Sequence, residues 1–251
     1  MDMVKGKIHH LYHSGFAVET ENYFLIFDYY MDEVEDNNQV RSLEKGVINP
    51  DLLKHKKNVI VFVSHNHGDH FNPVIFNWQE VNPDITYILG DDCIVPSNIR
   101  NIYVMRTNQS LELQLHNLVK VKTYGTTDRG VSFLVEVDHL SIYHGGDLNW
   151  WHWKSFTPEA QLKEEEDFKK EVNQITESID IAFVPVDPRL EEYYYLGGEY
   201  FAHTIKPKLL IPMHFASNFK ITEEFANKVS NISVPTIVLK ERGQVIEYIK
   251  A

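Results

Sequence analysis

The segment Ser64-His65-Asn66-His67-Gly68-Asp69-His70-Phe71-Asn72 packs three imidazoles and one carboxylate into six residues. Imidazole nitrogen with carboxylate oxygen suits zinc, iron, manganese or nickel better than calcium or magnesium. The apolar run Val59-Ile60-Val61-Phe62-Val63 just before it reads as a buried strand, and Gly68 as the point where the chain turns past its end. In the extended part His65 and His67 point to one side, as i and i+2 neighbours do. After the turn, Asp69 and His70 face a second point. The spacing therefore predicts two adjacent metal positions. Loop histidines are often idle, and the chain has 13 of them, but four ligand-type side chains packed behind one strand are hard to obtain that way.

The same device recurs. Tyr143-His144-Gly145-Gly146-Asp147 and Ile211-Pro212-Met213-His214 also place ligand-type residues just past apolar runs. Strand ends converging on one sheet edge would bring these groups together. The elements required are legible. Strands are predicted at 7–12, 15–19 and 23–27, with Thr20-Glu21-Asn22 closing a hairpin, then at 58–63 and near 85–89, 101–105, 110–115, 118–124, 131–137 and 140–143. Further strands are predicted at 180–184, 208–212, 235–239 and 244–249. Asn72-Pro73 and Thr157-Pro158 are N-cap and first-turn signals for helices over 73–80 and from 157 to about 178. Helices near 196–206 and 221–230 follow, and residues 31–50 read as a polar surface loop. No linker divides the chain, so residues 1–251 are expected to form one α/β domain with sheets inside and helices outside.

Composition narrows the function classes. The chain has 251 residues, enough to bury a sizeable core, with an ordinary 43% hydrophobic and 24% charged content. A net charge of −12 disfavours a nucleic-acid partner, because phosphate neutralisation needs a basic face. The single cysteine, Cys93, excludes an internal disulfide framework. No apolar run approaches the ~18 residues of a membrane span, and the first residues lack a signal-peptide pattern. A cytoplasmic protein acting on a small molecule is expected. No coiled-coil seam indicates its oligomeric state.

At this point the chain resembles the metallo-β-lactamase superfamily. His65-Asn66-His67-Gly68-Asp69-His70 matches the H-x-H-x-D-H hallmark in full, Gly146-Asp147 matches the later G-D element, and His214 matches the late histidine. The resemblance spans nearly the whole chain. It implies a four-layer αββα sandwich with mixed sheets and a metal-dependent hydrolase. His13-Ser14-Gly15-Phe16 and Ile205-Lys206-Pro207-Lys208 through His214 look closest to the branch of ascorbate-6-phosphate lactonase and the N-acyl-phosphatidylethanolamine phospholipase D type.

Carried over, the resemblance assigns His65 and His67 to a first metal, Asp69, His70 and His214 to a second, and Asp147 as a bridge. Asp69 would also orient the attacking water and take its proton. Asp28 looks like the family's early aspartate, which supports the metal loop; an ordinary strand-end turn residue is the alternative. One or two divalent ions are implied, zinc first, with manganese or iron as alternatives.

The pattern is broken at one place. Relatives supply a third histidine to the first metal from a G-H-T-like turn, but Tyr124-Gly125-Thr126-Thr127-Asp128-Arg129-Gly130 has none. Asp128 could donate a carboxylate, a distant histidine such as His144, His152 or His13 could swing in, or the first position could be weak or empty. His144 also fits a supporting hydrogen-bond role, and His13 could point into the pocket or pin the first hairpin. Trp151 and His152, in Asn149-Trp150-Trp151-His152-Trp153, and Tyr194, in Tyr193-Tyr194-Tyr195, are candidates for the cleft wall. Arg189 is expected to pair with Glu191 or Glu192, or with a substrate anion.

Metal-activated water acting on a small ester, lactone or phosphoester is the leading functional expectation. A non-hydrolytic metal protein, either an iron redox enzyme or a ligand sensor, is the alternative. A nuclease of the same superfamily comes third, disfavoured by the charge.

Overall fold

A computed structural model describes residues 4–36 and 38–250. Its thirteen strands form two sheets. The first contains β1 (Lys5–Tyr12), β2 (Gly15–Glu19), β3 (Phe24–Phe27), β4 (Val59–Val63), β5 (Thr86–Gly90), β6 (Ile102–Met105) and the last strand, β13 (Val245–Ile249). Their order is β13-β1-β2-β3-β4-β5-β6. The second contains β7 (Ser110–Gln114), β8 (Leu118–Tyr124), β9 (Ser132–Val137), β10 (Leu140–His144), β11 (Ile181–Pro185) and β12 (Leu209–Met213), in the order β12-β11-β10-β9-β8-β7. Both sheets are mixed. β3 to β6 run parallel, as do β10, β11 and β12, and the hairpin-linked strands pair antiparallel.

Continuous apolar runs become strands here because both faces of the sheets are covered. In β4, Ile60 and Phe62 point into the core between the sheets, while Val59, Val61 and Val63 pack outward beneath Leu53, Ile75 and Trp78. Each such side chain contributes about 1.5–3 kcal/mol by leaving water, so the strand that carries the histidine loop is firmly held. On the far side, α2 (Pro158–Val172), α3 (Leu196–Ile205) and α4 (Lys220–Lys228) cover the second sheet, adding Phe168, Phe201 and Phe225 to the core. The result is the predicted αββα layering.

Several local expectations shift. Residues Pro73–Glu80 form 3-10 turns instead of an α-helix, although Asn72 caps them as expected by accepting the Val74 N–H at 3.0 Å. α2 stops at Val172, short of 178. The segment near 235–239 contributes only an isolated bridge, Leu210 to Thr236. Within the loop 31–50, Leu43, Val47 and Ile48 are buried, and a short helix, α1 (Pro50–Leu53), follows. No helix among the described residues is long and apolar enough to cross a membrane.

The parallel strands place the functional loops. Asp28, Ser64 to His70, Asp147, Asp187 and His214 all follow the carboxyl ends of parallel strands (β3, β4, β10, β11 and β12) and meet at one edge of the sandwich, where such sheets present their binding crevices. Gly68 is not the critical glycine: its φ lies outside the left-handed region, and a Cβ there would meet nothing. Gly130 is. Its φ is +74°, and a Cβ would sit 2.1 Å from the Ser64 carbonyl oxygen. The 125–131 turn can press against the start of the histidine loop only because no side chain intervenes.

Candidate metal centre

Asp28 organises the histidine loop. It is fully buried at the end of β3 with φ +42°, a conformation that non-glycine residues seldom adopt without a compensating constraint. Its Oδ1 accepts the Ser64 N–H at 2.7 Å. Its Oδ2 accepts the Ser64 hydroxyl at 2.7 Å and His70 Nδ1–H at 2.7 Å. Because the Ser64 hydroxyl donates to Asp28, its lone pair is free for His65 Nδ1–H, 2.9 Å away. One carboxylate therefore sets the tautomer of His70 directly and of His65 through Ser64. Burial alone would raise the Asp28 carboxyl, but its histidine neighbours hold it below the usual carboxylate range.

Asp187 does the same for His214. It follows β11, and its Oδ2 lies 3.0 Å from His214 Nδ1. Against the penalty of burial, His214 and Arg189 hold the Asp187 carboxyl down at about 2. With their Nδ1 protons committed, His65, His70 and His214 turn their Nε2 atoms inward. All three converge on Asp147: His70 and His214 lie 3.0 and 3.1 Å from its Oδ1, and His65 lies 3.2 Å from its Oδ2. The three Nε2 atoms and Asp147 Oδ1 are buried yet make no aligned hydrogen bond. Buried polar atoms are ordinarily satisfied. Imidazole nitrogens and a carboxylate oxygen converging without aligned hydrogen bonds instead fit a cation site. Burial would raise the Asp147 carboxyl, and the surrounding histidines, His70 foremost, hold it well below the ordinary range. Without a cation, Asp147 and Asp28 push His70 up to about 10 despite burial, so its Nε2 holds a proton that a bound cation would displace.

Three overlapping groupings result: His13, Asp69, His70 and His214; His65, His70 and Asp147; and His67, Asp128 and Asp147. Asp128, exposed, is the carboxylate of the 125–130 turn that lies beside His67 and Asp147. Thr127 holds it there: its hydroxyl donates to the Asn149 carbonyl and accepts the Asn149 N–H at 3.1 Å, tying the 125–130 turn to the Asp147 loop.

The histidines offered as substitutes lie elsewhere. His144 has both ring nitrogens occupied, Nε2 by the Ser14 carbonyl at 2.8 Å and Nδ1 by the Gly146 N–H at 3.2 Å, and it stacks on Phe27. His152 packs its ring against Tyr193 at 4.4 Å. His13 lies against His214, with ring centroids 4.1 Å apart, on the side away from His67. Its Nδ1 accepts the Ala216 N–H at 3.0 Å. Burial pushes it down to about 4, so it is neutral and carries its proton on Nε2, 3.6 Å from Asp69 Oδ2. In that tautomer the His13 N–H faces Asp69 at more than hydrogen-bond distance, and His13 has no lone pair to offer a metal. The nearby His13 ring is also the main cause of the lowered Asp69 carboxyl.

Beside these groupings lies a cleft of about 380 Å³, lined by His67, Asp69, Thr127, Asp128, Asp147, Trp151, Trp153, Glu164, Arg189 and His214. That volume is at the small end for ligand pockets, which start at about 300 Å³. Trp151 is a wall residue, as the sequence suggested. Trp153 is another, its ring parallel to that of Trp151 at 5.9 Å. His152 and Tyr194 are not part of the lining; Tyr194 packs on Tyr195 and the core beneath α3. Ser64, Asp187 and Trp153 were not singled out from the sequence. Asp187 had one local signal, its position past the apolar run 180–184.

The chain matches the family model described as the beta-lactamase superfamily domain over residues 7–214. A metal-dependent hydrolase of Staphylococcus saprophyticus, in the group designated UPF0173, is 22% identical over 207 residues, covering 75% of this chain and 81% of that protein. Among solved structures, Igni18, a metallo hydrolase from Ignicoccus hospitalis, superposes with a TM-score of 0.65 at 17% identity, covering 97% and 98% of the two chains. The diiron β-hydroxylase CmlA of Streptomyces venezuelae superposes with a TM-score of 0.63 at 8% identity, covering 98% of this chain and 54% of that one. At such identities the two structural likenesses show a shared fold, which hosts more than one chemistry. With the family model covering most of its length, this chain belongs to the beta-lactamase superfamily.

Proposed function

We propose that the protein is a metal-dependent hydrolase that holds two divalent ions and cleaves a small ester, lactone or phosphoester. One observation carries this reading. The buried Nε2 atoms of His65, His70 and His214 converge on Asp147 without an aligned hydrogen bond, and their other nitrogens are fixed by Ser64, Asp28 and Asp187. This is the arrangement that orients imidazoles for metal binding. His65, His67, Asp128 and Asp147 would hold the first ion, and Asp69, His70, Asp147 and His214 the second. Divalent ions held there would polarise the scissile carbonyl or phosphoryl oxygen and make water acidic enough to attack.

The chain's own groups supply the rest. Asp69, half-exposed at the cleft with the His13 ring beside it, orients the attacking water and accepts its proton. Trp151 and Trp153 restrict the cleft to a small substrate. The donors suit zinc. A carboxylate from Asp128 in place of a histidine makes the first position harder, and so more tolerant of manganese or iron. The likeness to the lactonase and phospholipase branch favours lactone and phosphoester substrates within this class.

A panel of 4-nitrophenyl acetate, bis(4-nitrophenyl) phosphate and simple lactones tests the reading. At least one should be hydrolysed, with activity lost on chelation and recovered on adding zinc or manganese. Turnover that survives exhaustive chelation, or no turnover of any substrate by metal-loaded protein, would overturn it.

A further inference from the structure

We propose that Arg189 is an oxyanion-binding residue, so that the substrate carries a carboxylate or phosphate group besides the bond that is cleaved. The inference rests on the hydrolase reading for the word substrate, but the binding site can be tested without turnover.

The local sequence offers Arg189 two acidic neighbours, Glu191 and Glu192. The structure gives both to Lys154, at 3.1 and 3.2 Å. Arg189 turns back instead onto Asp187. Its Nε lies 2.8 and 3.0 Å from the two carboxylate oxygens, and its Nη2 also donates to Oδ2. A guanidinium has five N–H donors in a planar fork. Asp187 takes the Nε/Nη2 edge and leaves the Nη1/Nη2 edge with no protein acceptor among the described residues. That open edge matches the two oxygens of a carboxylate or phosphate, the geometry that makes Arg the preferred bidentate anion binder.

Its position makes the open edge useful. Arg189 lines the same cleft as Asp69, Asp147 and His214, and it is the only Lys or Arg there. The carboxylates lining the cleft, Asp69, Asp128, Asp147 and Glu164, are all acidic, and the chain as a whole carries −12. Apart from any bound metal, Arg189 is the permanent positive charge there that can receive an anion. The guanidinium is fixed before any ligand arrives. Asp187 grips it on one side, and the rings of Trp151 and Trp153 lie 6.0 and 5.8 Å from its central carbon. The same Asp187 carboxylate holds His214, so one buried group sets both a ligand of the reacting centre and the anion-binding edge at a constant separation. A small cleft with an oxyanion anchor at that fixed distance selects for charge placement as well as size.

The test uses metal-loaded protein and the fluorescence of Trp151 and Trp153, which flank Arg189. Wild type, Arg189→Ala and Arg189→Gln are titrated separately with succinate and with inorganic phosphate, with bound metal measured in each. Arg189→Gln retains a donor to Asp187 and serves as the second variant should alanine disturb His214. The expected result is saturable binding of at least one anion by wild type. Both variants should be weakened roughly 10- to 100-fold at unchanged metal content, the range for hydrogen bonds to a charged group. The anion that shows the effect identifies carboxylate or phosphate. Equal affinity in wild type and Arg189→Gln, or no binding of either anion by wild type, overturns the proposal. The two readings separate cleanly. Arg189-dependent anion binding without any hydrolysis would retain this site and remove the hydrolase assignment. Hydrolysis of neutral and anionic esters with equal kcat/KM in all three proteins would do the reverse.

Discussion

Replacement of Asp147 by asparagine is expected to reduce metal-dependent hydrolysis by at least about a hundredfold and to lower the bound metal to one ion or fewer per chain. Loss of a partner that merely supports a ligand already costs about 10- to 100-fold, and Asp147 touches both positions. Its Oδ1 faces His70 and His214 at 3.0 and 3.1 Å, and its Oδ2 faces His65 and His67 at 3.2 and 3.9 Å. No other carboxylate at the site reaches two of these histidines through each oxygen. Asparagine keeps the shape, removes the charge, and turns one oxygen into an N–H donor aimed at an imidazole lone pair. The lone pair that should receive a cation would be tied up by the amide. Elemental analysis beside kcat/KM checks the prediction. Full metal content with activity within threefold of wild type would show that Asp147 does not bridge.

The largest expected effect on stability lies at Asp28. Asp28→Ala strands three buried donors, the Ser64 N–H, the Ser64 hydroxyl and His70 Nδ1–H. Each unsatisfied group costs about 1–3 kcal/mol. Because they belong to one network their costs do not simply add, and a total of about 3–5 kcal/mol is expected, as for breaking a buried charged pair. For a chain of this size about 2–4 °C of Tm accompanies each kcal/mol, so a fall of roughly 6–20 °C should appear in calorimetry. Metal affinity should fall with it, by about 10- to 100-fold, because the tautomers of His65 and His70 are no longer fixed. Asp28→Asn should be intermediate: its amide oxygen can accept two of the donors, but its N–H groups face the third. A Tm within 2 °C of wild type in Asp28→Ala would mean that the network is relieved some other way.

Much of this was visible in the residues. A strand run followed by ligand-type side chains is a local pattern, so the loop 64–70 and the strand ends at Asp147 and His214 could be read directly. The hairpins of the first sheet were equally local. What could not be read is what depends on partners distant in sequence. Ser64 is an ordinary strand-end serine until Asp28 lies beside it. Gly130 looks like any turn glycine until the Ser64 carbonyl is found 2.1 Å from where its Cβ would be.

Arg189 shows the limit most clearly. Sequence proximity offered Glu191 and Glu192, but the turn after β11 puts Lys154 on those residues and Arg189 on Asp187. The stretch near 235–239 has strand-like composition but meets only one neighbour, at Leu210. Strand propensity expresses itself only where a partner edge is available. His13 is read from the sequence as pointing into the pocket or pinning the first hairpin, but its tautomer is set by the Ala216 amide 203 residues away. No inspection of His13-Ser14-Gly15-Phe16 could supply that.

The central claim is a two-ion centre in which Asp128 takes the place of a histidine. Anomalous scattering from crystals of protein purified without chelators, recorded at the zinc, iron and manganese edges, tests it most directly. Two peaks are predicted beside Asp147, one among Asp69, His70 and His214 and the other among His65, His67 and Asp128. A single peak with Asp128 turned to solvent, or a third histidine drawn onto the first ion, would contradict it.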